Sequence, residues 1–93
     1  MQDKITKEKL EKYFLISGKA LKIAEKNINA KRKKEAEEIL KMAGCYLSDA
    51  KYFQSKKDFV NAFAAVNYAH GWLDTGARLG IFKVKDDKLF VVK

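Results

Sequence analysis

Residues 58–80 read DFVNAFAAVNYAHGWLDTGARLG and set the architecture of this 93-residue chain. Residues 59–73 include no Asp, Glu, Lys or Arg. Two asparagines and one histidine interrupt this run, which is also shorter than the ~20 apolar residues of a membrane-spanning helix. Asp58 can accept the free amides at the start of a helix, and Gly80 can end one. The stretch therefore predicts a buried helix over residues 59–79.

Apolar residues occupy almost the whole circumference of this predicted third helix. The expected core face comprises Phe59, Ala62, Phe63, Val66, His70, Leu73 and Ala77. The opposite side, the back, comprises Ala65, Tyr68, Trp72, Thr75 and Leu79. A narrow polar ribbon lies beside the core face. A helix patterned in this way should be covered by other elements on more than one side.

Two amphipathic helices precede it. The first spans about residues 3–28 and places its apolar stripe at alternating four- and three-residue steps: Leu10, Phe14, Ser17, Leu21, Ala24 and Ile28. The second spans about residues 30–55, with its stripe at Ala36, Ile39, Leu40, Ala43, Tyr46, Leu47, Ala50 and Phe53. Cys45 falls well away from this second stripe, so its side chain should point outward.

The C-terminal tail, residues 81–93, differs in character from the helices. Two β-prone pieces, residues 82–84 and 89–91, flank a charged turn at residues 85–88. A two-stranded hairpin is not stable alone, so a hairpin or strap here should lie on the bundle, with the back of the third helix as its expected seat. The predicted fold is thus all-α: one domain over residues 1–93, an antiparallel three-helix bundle with a short β-prone C-terminal tail or hairpin.

The composition narrows the classes of site that the chain can carry. One cysteine and one histidine exclude an internal disulfide and a structural zinc site. A Cys45–His70 nucleophilic dyad is rejected, because the two side chains should face opposite ways. We therefore expect no catalytic residues, no metal and no cofactor. The N-terminus lacks the apolar stretch of a signal peptide, which predicts a cytoplasmic protein with no membrane contact.

The net charge of +8 comes from 18 lysines and only two arginines against 12 acidic residues. The densest cluster of cations is Lys31, Arg32, Lys33 and Lys34, just ahead of three glutamates at positions 35, 37 and 38. Because acids four residues on can neutralise these cations, a solvated helical face is the simpler interpretation. The more specific interpretation is that these cations form a contact surface for a polyanion.

The polar ribbon of the third helix is a candidate groove. The ribbon comprises Asn67, Gly71, Asp74 and Arg78, and the candidate groove also includes His70 from the adjacent core face. The missing side chain at Gly71 would leave room for a ligand or a close backbone. The simpler interpretation is structural, with Asp74 and Arg78 pairing across one turn and the histidine hydrogen-bonded to a neighbouring helix.

Large apolar groups on the back of the third helix are the strongest anomaly in the chain. Together with the outward cysteine they form a candidate interaction surface: Tyr68, Trp72, Leu79 and Cys45. Exposed aromatic groups of this kind mark interfaces. Either the tail covers them, or they contact a partner or a second copy in a homodimer.

The stretch AVNYAHGWLDTGARLGIF, residues 65–82, has Met42-Ala43 and residues 46–53 ahead of it. Together these segments resemble the archaeal family called Domain of Unknown Function 357, over about residues 36–82. The resemblance implies a compact helical bundle. It implies no reaction, because the family has no established activity.

The leading functional expectation is a non-catalytic protein-interaction or accessory domain that uses the surface of the third helix. It rests on the apolar circumference of that helix and on the outward Cys45. The alternative is a basic, sequence-tolerant nucleic-acid-binding module with its contacts in residues 31–34. Such a module would lose affinity steeply as salt rises.

Overall fold

A computed structural model describes residues 6–84 of the chain, which form three α-helices and one short 3-10 turn. Helix α1 spans Lys7–Lys26, the 3-10 turn Ala30–Arg32, α2 Lys33–Ser55 and α3 Phe59–Arg78. Successive residues of α1 contact successive residues of α3, so these two helices are parallel. Successive residues of α2 contact residues of α3 in reverse order, so these two are antiparallel. The helices therefore run up, down and up, and the predicted all-α three-helix bundle is confirmed.

Local hydrogen bonds explain where the helices begin and end. The Thr6 hydroxyl accepts from the amide of Lys9 at the start of α1. The Asp58 carboxylate accepts from the amide of Asn61 at 3.2 Å, so Asp58 caps α3 as the sequence predicts. After α3, Gly80 adopts φ +76°, the left-handed conformation with which helices commonly stop.

The core is built from small residues where the helices meet. α2 and α3 share the largest interface, while α1 packs mainly on α3 and touches α2 little. The buried apolar residues are Leu10, Ala20, Ala24, Ala36, Ile39, Ala43, Leu47, Ala50, Ala62, Ala65, Val66, Ala69, Leu73, Ala77, Ile81 and Phe82. Alanines fill most of these positions, because a small side chain lets two helix backbones approach closely.

Between residues 6 and 84, α3 packs on both α2 and α1, so it is covered on two sides as expected, but much of its back is left exposed. An exposed stripe runs along α3 and includes Val60, Tyr68 and Leu79, with 67%, 63% and 56% of their surface accessible. Ala65, assigned to the back of the helix, is instead buried. The buried side of α3 is therefore centred on its alanines and not on its largest side chains.

The described part of the tail does not lie over the back of α3. Residues 81–84 cross the end of the bundle, where Phe82 forms an isolated antiparallel bridge with Ile28. The backbone amide of Lys83 donates to Asn27, and that of Asn29 donates to Ile81. Residues 81–83 thus link the C-terminal end of α1 to that of α3, a contact that we call chain closure. The second half of the predicted hairpin, residues 89–91, lies outside the described residues.

Candidate functional site

The exposed stripe of α3 contains a shallow groove. It is lined by Ala64, Asn67, Tyr68, Gly71, Trp72 and Thr75, all on α3. Three of these residues, at positions 64, 71 and 75, are small, and two are aromatic. Trp72 is half-buried and packs against the core, whereas Tyr68 stands largely in solvent. The groove is therefore an apolar surface on a well-anchored helix.

Tyr68 is held in place by a neighbour on α2. Its ring stacks on Tyr46 with the centroids 5.3 Å apart and the planes 19° apart. Cys45, which directly precedes Tyr46 in α2, is exposed and has a free thiol. The structure thus brings Tyr68 and Trp72 of the predicted interaction surface into one groove. Leu79 lies about two turns further along the same exposed stripe.

The groove carries no formal charge. Between Asp58 and Asp74 the sequence of α3 has no Asp, Glu, Lys or Arg, whereas α1 and α2 expose charged side chains along their length. The molecule as a whole is strongly basic. At this groove, however, an apolar surface of a partner can bind without removing water from a charged side chain.

A second, polar cleft lies between α1 and α3. It has a volume of about 340 Å³ and is lined by Tyr13, Ile16, Ser17, Asn67, His70, Gly71 and Asp74. Four residues of the candidate groove predicted on α3 thus line one cleft. Arg78, the fifth, is exposed and is not among the lining residues.

Three side chains in this cleft form a Ser–His–Asp series. The Ser17 oxygen lies 3.1 Å from Nδ1 of His70, and Nε2 of His70 lies 3.5 Å from the Asp74 carboxylate. Ser17 is only 1% exposed, so a substrate cannot reach its oxygen while α1 sits on α3. A nucleophile needs such access, and the arrangement therefore favours a role in holding α1 in register on α3.

The sequence pattern places Ser17 in the stripe of α1 but gives no partner for its hydroxyl. Its partner is 53 residues away in the chain, and only the packing of α1 on α3 brings the two together. The one available signal is a polar residue at a core position, because a buried hydroxyl requires a hydrogen-bonding partner.

In the predicted basic patch, Arg32 differs from its lysine neighbours. Its guanidinium donates two hydrogen bonds to the carboxylate of Glu35, at 2.8 and 2.7 Å, and a third to the carbonyl of Leu79 at 3.0 Å. The hydrogen bond with Glu35 raises the pKa of Arg32, and it lowers the pKa of Glu35. Arg32 thus ties the start of α2 to the end of α3, and an approaching anion would compete with Glu35 for it.

The lysines of the patch remain open to solvent. Lys31, Lys33 and Lys34 are exposed, and chain closure brings Lys26 and Lys83 to the same end of the bundle. Sequence reasoning missed these last two, because Lys26 belongs to the preceding helix and Lys83 is distant from residues 31–34 in the chain.

Comparison with known proteins gives one finding. A family model described as "Protein of unknown function (DUF357)" matches residues 12–82. The chain belongs to this family. The DUF357 match ends at the buried Phe82 and includes most of α1, so it extends further towards the N-terminus than the resemblance expected over about residues 36–82. No curated protein and no solved structure matches the chain.

None of the helices between residues 6 and 84 is long and apolar enough to cross a membrane.

Proposed function

We propose that this DUF357 chain is a non-catalytic, cytoplasmic interaction domain that binds a partner protein through the exposed groove of α3. The observation that carries the proposal is the accessibility of Tyr68, beside Trp72, on a stretch of helix without charge. Covering apolar surface of this kind lowers the free energy of the system, and aromatic side chains dominate the energy of many interfaces.

The packing of the groove also supports binding. The stack of Tyr68 on Tyr46 restricts the tyrosine before any partner arrives. Immobilising a side chain at an interface costs ~0.5–1.5 kcal/mol, so a ring that is already held loses less on binding. The partner surface that fits is apolar, with hydrogen-bonding groups for Asn67 and Thr75 at the edge of the groove.

Tyr68→Ser is expected to weaken partner binding at least about tenfold, which is within the range of a single aromatic interface residue. The control is Tyr52→Ser, which removes an equally exposed tyrosine (59% accessible) from α2. Proteins captured from the native lysate by the wild-type chain would be identified, and the purified candidate titrated against all three chains by calorimetry.

Support requires a partner that is lost with Tyr68→Ser and kept with Tyr52→Ser. If both variants bind as the wild type does, or both lose binding equally, the groove of α3 is not the binding surface. Circular dichroism of each variant confirms that the helices are intact.

The alternative function, a basic nucleic-acid-binding module, has one observation in its favour. Chain closure gathers exposed lysines at one end of the bundle: Lys26, Lys31, Lys33, Lys34 and Lys83. Such a cluster would contact phosphates as point charges, without reading bases.

If this alternative is correct, Lys33→Glu/Lys34→Glu is expected to reduce affinity for single-stranded RNA strongly and to flatten its dependence on salt, because fewer counterions are released. Fluorescence anisotropy over a salt series measures both effects. The matched control is Lys9→Glu/Lys12→Glu, with the same charge change at the other end of the bundle. Absence of binding by the wild-type chain at low salt, or equal loss in both variants, would rule the alternative out.

A further inference from the structure

The side of the bundle opposite the exposed face of α3 has a groove of its own. Because α1 leans on α3 and hardly touches α2, an open cleft with a volume of about 740 Å³ separates α1 from α2. Its apolar lining consists of Phe14, Leu15, Gly18, Leu21, Gly44 and Leu47. A core-like surface therefore remains uncovered between these two helices.

The cleft contains both a projection and a depression. Leu15 is 61% exposed, whereas a side chain added at Gly18 or at Gly44 would meet no atom within 4 Å. Gly18 lies one turn from Leu15 on α1, and Gly44 lines the same cleft from α2. The projecting leucine of a second copy can therefore fit the space beside these glycines. This is the condition for an isologous interface, in which one surface contacts the same surface of a partner.

The charged residues at the rim fix a register for such a pairing. Along α1, the cleft is lined by residues spaced four, three, four and three apart: Glu11, Leu15, Gly18, Lys22 and Glu25. This is the spacing of a coiled-coil seam. When two such seams run antiparallel with Leu15 opposite the partner's Gly18, Glu11 falls opposite the partner's Lys22. The two-fold axis repeats both contacts, so the pairing forms two leucine–glycine contacts and two opposite-charge pairs.

We propose that the cleft between α1 and α2 binds a second copy of this chain, with the two α1 helices antiparallel in that register. The occupant is a second copy because shape and charge are both self-complementary about one axis. The proposal is independent of the binding proposed for α3, because the groove of α3 and the cleft between α1 and α2 share no lining residue.

The same register contains one unfavourable pair, which the two-fold axis also repeats. In the outermost layer, Glu8 falls opposite the partner's Glu25, which places like charges together near both ends of the seam. Removing this repulsion should strengthen the dimer, so Glu25→Lys is expected to lower its dissociation constant. A gain of affinity from this single substitution is not expected from an unrelated interface.

The test is sedimentation equilibrium of the full chain over a concentration series. The wild-type chain is expected to dimerise, and Glu11→Lys and Lys22→Glu alone are each expected to raise the dissociation constant about tenfold, because each turns two attractive pairs into repulsive ones. The double reversal, which restores both pairs and the wild-type net charge, is expected to return to within about threefold of the wild type. Lys19→Glu, an exposed lysine of α1 outside the seam, is the charge-matched control for Lys22→Glu.

A wild-type chain that stays monomeric throughout the series overturns the proposal. So does a dimer in which Lys22→Glu behaves like Lys19→Glu, or in which the double reversal is no better than the single ones. All four substituted positions are exposed, so a change in folding is not the expected cause, and circular dichroism checks this. Since the groove of α3 is left intact, partner binding lost with Tyr68→Ser remains a separate result.

Discussion

Phe82→Ala is expected to lower the free energy of unfolding by about 3–5 kcal/mol, the usual cost of deleting a buried phenylalanine ring. Phe82 is among the largest fully buried side chains of the described chain. It also anchors the segment that joins the end of α1 to the end of α3, through its bridge to Ile28. Because a domain of this size has a total stability of ~5–15 kcal/mol, the loss would be a large part of the whole.

Urea denaturation followed by circular dichroism measures this change. The control is Leu79→Ala, a large apolar residue three positions earlier that is mostly exposed, for which a change within ~0.5 kcal/mol is expected. Equal effects of the two substitutions would mean that Phe82 is not part of the core.

Gly76→Ala is expected to destabilise the protein by about 1–3 kcal/mol, although alanine is normally the better helix former. A Cβ atom at this position would lie 2.6 Å from Cδ2 of Phe82 and closer still to Cε2. Real Cβ atoms do not approach so near, so the aromatic ring would have to move. The ring is enclosed and also closes the end of the bundle, which leaves it little room to shift.

Gly71→Ala is the matched control for this prediction. Gly71 lies in the same helix, but a Cβ atom there would meet nothing within 4 Å. Alanine should therefore stabilise the protein by up to ~1 kcal/mol, the difference in helix propensity. Thermal and urea denaturation of the two variants should move in opposite directions. Stabilisation by Gly76→Ala would show that the contact between α3 and Phe82 is looser than the structure has it.

Much of the bundle follows from the spacing of apolar residues. The predicted stripe of α2 is buried or half-buried throughout, and Cys45 is exposed as its position on the helix requires. The predicted stripe of α1 is also buried or half-buried from Leu10 to Ala24. These two helices are strongly amphipathic, so the side facing the core is defined by the sequence itself.

The orientation of α3 could not be predicted in the same way. Its apolar residues surround the helix. Of its expected core face, Ala62, Val66, Leu73 and Ala77 are buried as predicted, whereas the larger Phe59 and Phe63 are only half-buried. The seam with α2 selects small residues instead, because Ala65, Ala69 and Gly76 allow the two helices to approach closely. The pattern shows which residues are apolar but not which of them the neighbouring helix will contact.

The candidate sites show a similar division. The candidate groove predicted on α3 supplies one wall of the polar cleft between α1 and α3. The sequence does not predict the opposite wall, which lies on α1. The contact between Arg32 and Leu79, 47 residues apart, likewise depends on how the chain closes. Side chains on one helix can be grouped from the sequence, whereas groups from two helices require the packing.

The unequal interfaces of the three helices imply an order in which the molecule comes apart. α2 and α3 are joined by a short turn and a long alanine seam, whereas α1 is attached to α3 along one narrower side and held at its far end by residues 81–83. Local openings follow such differences in attachment. Amide exchange with deuterated water should therefore release α1 first, as one unit, and leave the hairpin of α2 and α3 as the slowest-exchanging part of the protein.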